Sequence, residues 1–343
     1  MRDFLKTGGF VGHRPGRVLV FHGPLVRTAA PPADRPALYA PDFFLEDRFP
    51  WHVPERCEDL PIDALFDRLP AAEPAATPLE WTAPDRHQFA ARFADLKRRI
   101  DAGELVKGVP VAFSTARAED PRAPWLARLL RGALRAAPDA VPYGLWDAAG
   151  GVVGATPEVL LDLAPDGSVR SMALAGTADP DQAGEELLAP KERAEHRIVV
   201  DDVVGALARF GAVTCGPARV VALQHLAHLR TEIALEPTRP VSFAELVRAL
   251  HPTAALGGSP RAHSAAWLRE MDRTQARGRF GAPFGVRAPD GSGRAVVAIR
   301  CVAWAGSTLR LGAGAGIVAD SRLEAEWAEI LRKVKAIRRT LLA

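Results

Sequence analysis

Two pairs of glutamates could each place two carboxylates on one helix face. Glu192 and Glu195 are three residues apart, Glu326 and Glu329 are likewise three apart, and Lys333 follows four residues later. Residues at these spacings are neighbours on a helix surface. Four carboxylates converging from two helices would make an oxygen-rich site for a hard cation, and Mg²⁺ suits carboxylate together with substrate oxygen. The same spacings also serve solvated helix faces, where Glu and Lys pair along the surface.

Other residues could hold and activate an anion. In Gly312-Ala313-Gly314-Ala315-Gly316, followed by Ile317-Val318-Ala319-Asp320, small residues leave the backbone open, so that N–H groups can approach a ligand without obstruction. This is not a Gly-x-Gly-x-x-Gly fingerprint, and no acidic residue follows at the distance a ribose requires; a tight packing turn fits the same pattern. Lys107 precedes a strand-like run and, if buried, could act as a base; as a surface lysine it would do nothing. Glu158 follows Thr156-Pro157 and precedes an apolar run, where burial would favour its acid form, or it could be a plain turn residue. His225 lies between Leu223 and Leu226 and suits either a core or a site histidine. Arg300 ends the apolar run Val296-Val297-Ala298-Ile299, where a buried guanidinium needs an anionic partner from the protein or from a ligand.

Periodicity predicts the elements that position these side chains. Phe89, Phe93, Leu96 and Ile100 recur at helical spacing across 85–101, with Gly103 placed for a left-handed cap. Helices are also expected over 124–136, from about Glu185 to Phe210, and over 322–342. Strands are expected at 18–21, ended by Gly23-Pro24, and at 109–113, within 151–163, at 171–177, 218–223, 295–304 and 308–311. The Pro/Ala-rich stretch 70–78 reads as a linker between an N-terminal segment, 1–75, and a main body, 76–343. Strands and helices mix without regular βαβ units, and turns such as Pro289-Asp290-Gly291 favour hairpins.

Composition excludes several functional classes. The 343 residues are 48% hydrophobic and 25% charged, with 44 Lys and Arg against 41 Asp and Glu. Net charge is only +3 and both signs are dispersed, so nucleic-acid binding is not expected. Cys57, Cys215 and Cys301 are scattered and form neither a disulfide framework nor a zinc ribbon. No apolar run approaches the roughly 18 residues of a membrane span, and Met1–Lys6 lacks a signal-peptide core. A cytoplasmic, soluble protein without membrane partners is expected.

The order of the motifs along the chain carries a resemblance. Gly103–Lys107, Thr156–Leu160, Ala173–Thr177, Lys191–His196, Gln224-His225-Leu226, Leu250–Thr253, Ala298–Arg300, Gly312–Val318 and Glu326–Glu329 together resemble the chorismate-utilising enzymes, over roughly 80–343. The resemblance implies an α/β fold of the α+β type, with two stacked, mostly antiparallel sheets flanked by helices. It implies chorismate as substrate and Mg²⁺ as cofactor. Glu195 and Glu329 would hold the metal, supported by Glu192 and Glu326. Gly176, Thr177 and Lys333 would receive the ring carboxylate, Arg300 and the Gly314 backbone the enolpyruvyl carboxylate, and His225 would line the ring.

Two positions sort the chain within that family. Water-using members resemble this chain in having Lys where Lys107 stands, whereas ammonia-using members usually have Gln. Aminodeoxychorismate synthases tend to carry a nucleophilic Lys where this chain has Ala175. The resemblance therefore implies an isochorismate synthase, monomeric or homodimeric and without a glutaminase partner, in which Lys107 activates water and Glu158 protonates the departing hydroxyl. Its product would serve menaquinone, siderophore or another synthesis, which the motifs do not distinguish. The alternatives are a salicylate synthase, an anthranilate-type subunit, and a silent chorismate-binding subunit. The chain departs from its relatives at Gly108-Val109-Pro110, at Gln275–Gly278 and at Gly312.

Overall fold

The computed structural model describes residues 2–71, 79–118 and 124–342. Most of the expected linker, 72–78, lies outside the described residues. Sixteen strands form one hydrogen-bonded antiparallel ladder, and Lys107–Gly108 pairs separately with Gly258–Ser259. From one end the ladder runs through Gly211–Cys215, Ala227–Pro237, Val169–Ala178, Val159–Leu163, Gly293–Val297 and Pro283–Arg287. It crosses Ala37–Tyr39, Trp51–Pro61, Arg17–Thr28 and Gly8–Arg14, then continues through Val141–Trp146, Gly150–Thr156, Cys301–Ala305, Thr308–Gly314 and Val111–Arg117. Arg219–Ala222 also pairs with Ala227–Pro237.

The two halves of the ladder stack face to face. Val11, Phe21, Tyr143 and Leu145 from one half bury against Phe284, Val286 and Val296 from the other, and the Tyr143 and Phe284 rings lie 4.9 Å apart. The outer face of one half is covered by the helices Pro190–Ala208 and Phe243–Leu250, through Val199, Val203, Leu207, Leu246 and Leu250. The other is covered by Arg86–Asp101, Pro124–Leu134 and Leu323–Leu341, through Phe89, Leu96, Leu126, Leu130, Ile330, Val334 and Ile337. The architecture is therefore two stacked antiparallel layers between helices, as expected, with strands from residues 8–61 joining the layers into one ladder. No described helix is long and apolar enough to cross a membrane.

Several element boundaries differ from the periodic pattern. The strand expected at 18–21 runs from Arg17 to Thr28, and Gly23-Pro24 sits at a register shift between His22 and Leu25 that tolerates the missing N–H. Pro110 divides the strand expected at 109–113 into Lys107–Gly108 and Val111–Arg117. The helix expected from Glu185 to Phe210 is interrupted, and Pro190 begins a new one at its first turn. The strand expected over 295–304 breaks at Ala298–Arg300, where Arg300 adopts a left-handed φ of 55°. Asp85 caps the helix Arg86–Asp101 by accepting from Gln88 N at 2.9 Å, and Gly103 takes φ 74° just past its end.

Candidate active site

The helices Pro190–Ala208 and Leu323–Leu341 bring their glutamates to one cleft, where each acid meets a lysine. Lys107 Nζ lies 2.9 Å from Glu195 Oε1. Lys191 Nζ lies 2.6 Å from Glu326 Oε1 and 3.1 Å from Glu192 Oε1. Lys333 Nζ lies 2.5 Å from Glu329 Oε1 and donates to Gly314 O at 2.7 Å. Glu195, Glu326, Glu329 and Lys107 are all buried. Burial is affordable here only because the charges are paired. Lys191 is a site residue to which the sequence assigned no role, although it adjoins Glu192.

The cleft wall contains Lys107, Glu158, Gly176, Thr177, Glu195, Arg300, Gly314, Glu329 and Lys333, nine of the residues singled out in the sequence. Glu192 and Glu326 stand behind it, against Lys191. Glu158 is fixed between two strands, its N–H donating to Thr156 Oγ1 at 3.2 Å and its carbonyl accepting from Val297 N at 3.0 Å. Gly176 takes φ 73° at an irregularity between Ala175 and Ala178, and a Cβ there would lie 3.0 Å from Glu192 Oε2. The Gly-rich run expected to leave an open backbone does so most tightly at Gly316, where a Cβ would fall 2.0 Å from Glu195 Oε1.

His225 does not line this cleft. Leu223 N donates to Leu226 O at 2.7 Å, closing a turn that carries Gln224 and His225 into an adjoining cavity with Ala336 and Thr340. The cleft histidine is His228, in the strand that follows. Alternation along that strand sends Leu229, Thr231, Ile233 and Leu235 to one face and His228 to the other, a signal that could have identified it. His228 Nδ1 donates to Gly176 O at 2.7 Å, and its Nε2 accepts from Arg300 Nη2 at 3.1 Å. Burial, then the adjacent Arg300 guanidinium, push its imidazole down to about 3, which fixes it as a neutral spacer holding that guanidinium. Arg300 is not inside a strand, as expected, but in the left-handed break, with Tyr143 Oη donating to the Ile299 carbonyl at 2.9 Å beside it. Arg277 and Phe280 also line the cleft and were not singled out as site residues. Arg277 is tied up by Val109 O at 2.7 Å and Leu256 O at 3.1 Å.

The carboxylates are crowded. Burial pushes Glu158 up to about 7 despite Lys107, Lys333 and Arg300. Burial and then Glu329 push Glu326 up to about 7, with Lys191 opposing. Burial also raises Glu192. Burial acts the same way on Glu329, but Lys333 outweighs it and holds that carboxyl below its usual range. Glu192 Oε2 and Glu326 Oε2 are buried without a hydrogen-bond partner. These all-oxygen donors, two of them unpartnered, fit a hard divalent cation in type. Among the described residues, no three carboxylates converge on one point.

The raised carboxyls predict a pH-dependent stability. Glu158 is held near 7 in the fold against 4.5 ordinarily, so its contribution is fully present below about 4.5 and is lost as pH rises through about 7. Without added metal, the Tm should therefore fall more steeply from pH 5 to pH 8 in the unmodified chain than in Glu158→Gln. Parallel Tm curves for the two would show that Glu158 ionises normally in the fold.

Comparison with known proteins adds to this geometry. Residues 56–339 match the model of a family described as chorismate binding enzyme. Anthranilate synthase component 1 of Streptomyces coelicolor is 32% identical over 298 residues, covering 81% of this chain and 56% of its own length. The salicylate biosynthesis isochorismate synthase of Pseudomonas aeruginosa is 30% identical over 286 residues, covering 80% of this chain and 59% of its own. The chain thus spans less than two thirds of these relatives. Among solved structures, DhbC of Bacillus anthracis superposes with a TM-score of 0.82 at 25% identity, over 98% of this chain and 96% of that one. MenF, the menaquinone-specific isochorismate synthase from Escherichia coli, shares the fold with a TM-score of 0.79 at 22% identity, over 98% and 89%.

Proposed function

The chain belongs to the chorismate binding enzyme family, and on that premise we propose that it is an isochorismate synthase, with water as the nucleophile and Mg²⁺ as cofactor. The observation that carries this reading is Lys107, 1% exposed in the cleft wall with Glu195 beside it. A buried amine at that position can take a proton from water, which an amide cannot. Glu195, 2.9 Å from Nζ, fixes the position of that amine. The water oxygen would bond to ring C2 as its proton passes to Lys107. The ring double bonds would shift, and the C4–O bond would break as Glu158 gives its proton to the departing hydroxyl. Holding Glu158 near 7 keeps a substantial acid fraction at neutral pH.

The substrate is a dianion, and the cleft supplies matching charge. Arg300, aimed by His228, would take the enolpyruvyl carboxylate together with the Gly314 backbone, while Lys333, Gly176 and Thr177 would face the ring carboxylate. Glu195 and Glu329, backed by Glu192 and Glu326, would hold Mg²⁺, which supplies positive charge to that ring carboxylate.

The 32% identity to an anthranilate synthase component 1 supports a second reading, an ammonia-using subunit. Incubating the protein with chorismate and Mg²⁺, with and without ammonium, separates the two. Isochorismate formed without ammonium and abolished by EDTA is the expected result. An aminated product formed only with ammonium would establish the second reading. Pyruvate and salicylate would show that elimination follows, and binding without turnover would reduce the chain to a silent chorismate-binding subunit.

A further inference from the structure

The helix that carries Glu192 and Glu195 toward the cleft has a second face. Behind it lies a groove of about 430 Å³, within the range of small-molecule sites. Its walls include Leu188, Arg193, His196, Arg197, Val220 and Leu229. Three features of it remain unexplained by the cleft.

The first is charge. Arg193 and Arg197 are exposed and stand one helical turn apart, and among the described residues neither side chain makes an ion pair or hydrogen bond. Like charges at this spacing repel, and a cation in the first turn of a helix opposes the helix dipole. A bound anion would reverse both effects. The second is a buried donor. His196 is 4% exposed, its Nε2 lies 2.8 Å from Thr231 Oγ1, and its buried Nδ1 has no partner. Either ring nitrogen can hold the proton; in the tautomer whose Nε2 accepts from the threonine hydroxyl, Nδ1 carries the proton and is free to donate. The third is apolar surface. Leu188 at 54% and Val220 at 40% exposure are two of the six exposed large hydrophobic residues among those described, and both lie on this groove.

We propose that the groove is a second, non-catalytic binding site for an aromatic carboxylate. The Arg193 and Arg197 guanidinium groups take the carboxylate, His196 Nδ1–H donates to the ligand, and the ring lies against Leu188 and Val220. Inorganic phosphate would satisfy the arginines but leave the apolar walls wet, so the walls select an organic anion.

Benzoate is the probe. Calorimetric titration of the full chain, without chorismate, should give saturable binding that weakens at least tenfold in Arg193→Ala/Arg197→Ala. Binding should be unchanged in Arg300→Ala, which disables the carboxylate site of the cleft, and should resist inorganic phosphate at equal ionic strength. Circular dichroism checks that each variant is folded. His196→Gln, an internal substitution, should weaken binding while leaving the arginines in place. Binding lost in Arg300→Ala, binding indifferent to the arginine pair, equal competition by phosphate, or no binding at millimolar benzoate would each overturn the proposal. None of these readouts needs turnover, so failure of the synthase assignment would be seen separately.

Discussion

Lys107→Gln should lower kcat for isochorismate formation by about 10²–10⁴-fold, the range expected when a positioned general base is removed. Glutamine keeps a polar end that can donate to Glu195 but cannot accept a proton from water. Lys107→Ala should be equally inactive and also less stable. It strands the Glu195 carboxylate, whose partner now lies 2.9 Å away in a site 1% exposed at the lysine. Breaking a buried ion pair from one side costs roughly 3–5 kcal/mol. The two variants together separate chemistry from folding. Steady-state kinetics and urea unfolding would measure both, and a Gln variant within tenfold of the unmodified enzyme would remove Lys107 from the role of base.

Gly316→Ala should be the second most damaging single change. Its Cβ would lie 2.0 Å from Glu195 Oε1 and 2.8 Å from Lys107 Cε, so both members of the buried pair must move. Misplacing reacting groups by about 1 Å costs on the order of 10²-fold in rate. Gly205→Ala, on the same helix as Glu195, is the control: its added methyl would meet nothing within 4 Å, and its activity should stay within about tenfold. Equal kcat/KM values for the two variants would show that the Glu195–Lys107 geometry does not limit the reaction.

The parts of the site readable in the sequence were those with local spacing. Glu192 and Glu195, or Glu326 and Glu329, announce a shared helix face wherever the helix packs, and Gly176 and Gly316 announce close approach. What escaped depends on long-range geometry. Arg300 looks like a strand residue because Val296–Ile299 are apolar, yet those residues end one strand and turn into the next, and the arginine occupies the turn. His225 and His228 both have apolar neighbours, and only the start of the strand at Ala227 tells which faces the cleft. Lys191 is unremarkable until Leu323–Leu341 brings Glu326 to within 2.6 Å of it. The fold followed the same rule: hydrophobic periodicity located some elements but not the strands Trp51–Pro61 and Ala227–Pro237 or the helices Phe243–Leu250 and Arg261–Thr274, and Pro110 and Pro190 set boundaries that periodicity alone ran through.

The placement of residues 8–61 in the ladder has a further consequence. Gly8–Arg14 pairs with Val141–Trp146, and Ala37–Tyr39 with Pro283–Arg287, so these early strands seal one flank of each layer. A fragment beginning after residue 76 would bare the backbone of two mostly buried, apolar strands, Val141–Trp146 and Pro283–Arg287. Unpaired strands of that kind invite intermolecular pairing. Removing the first strands would therefore turn a sealed ladder into an aggregating one, even though every residue singled out for chemistry lies beyond them.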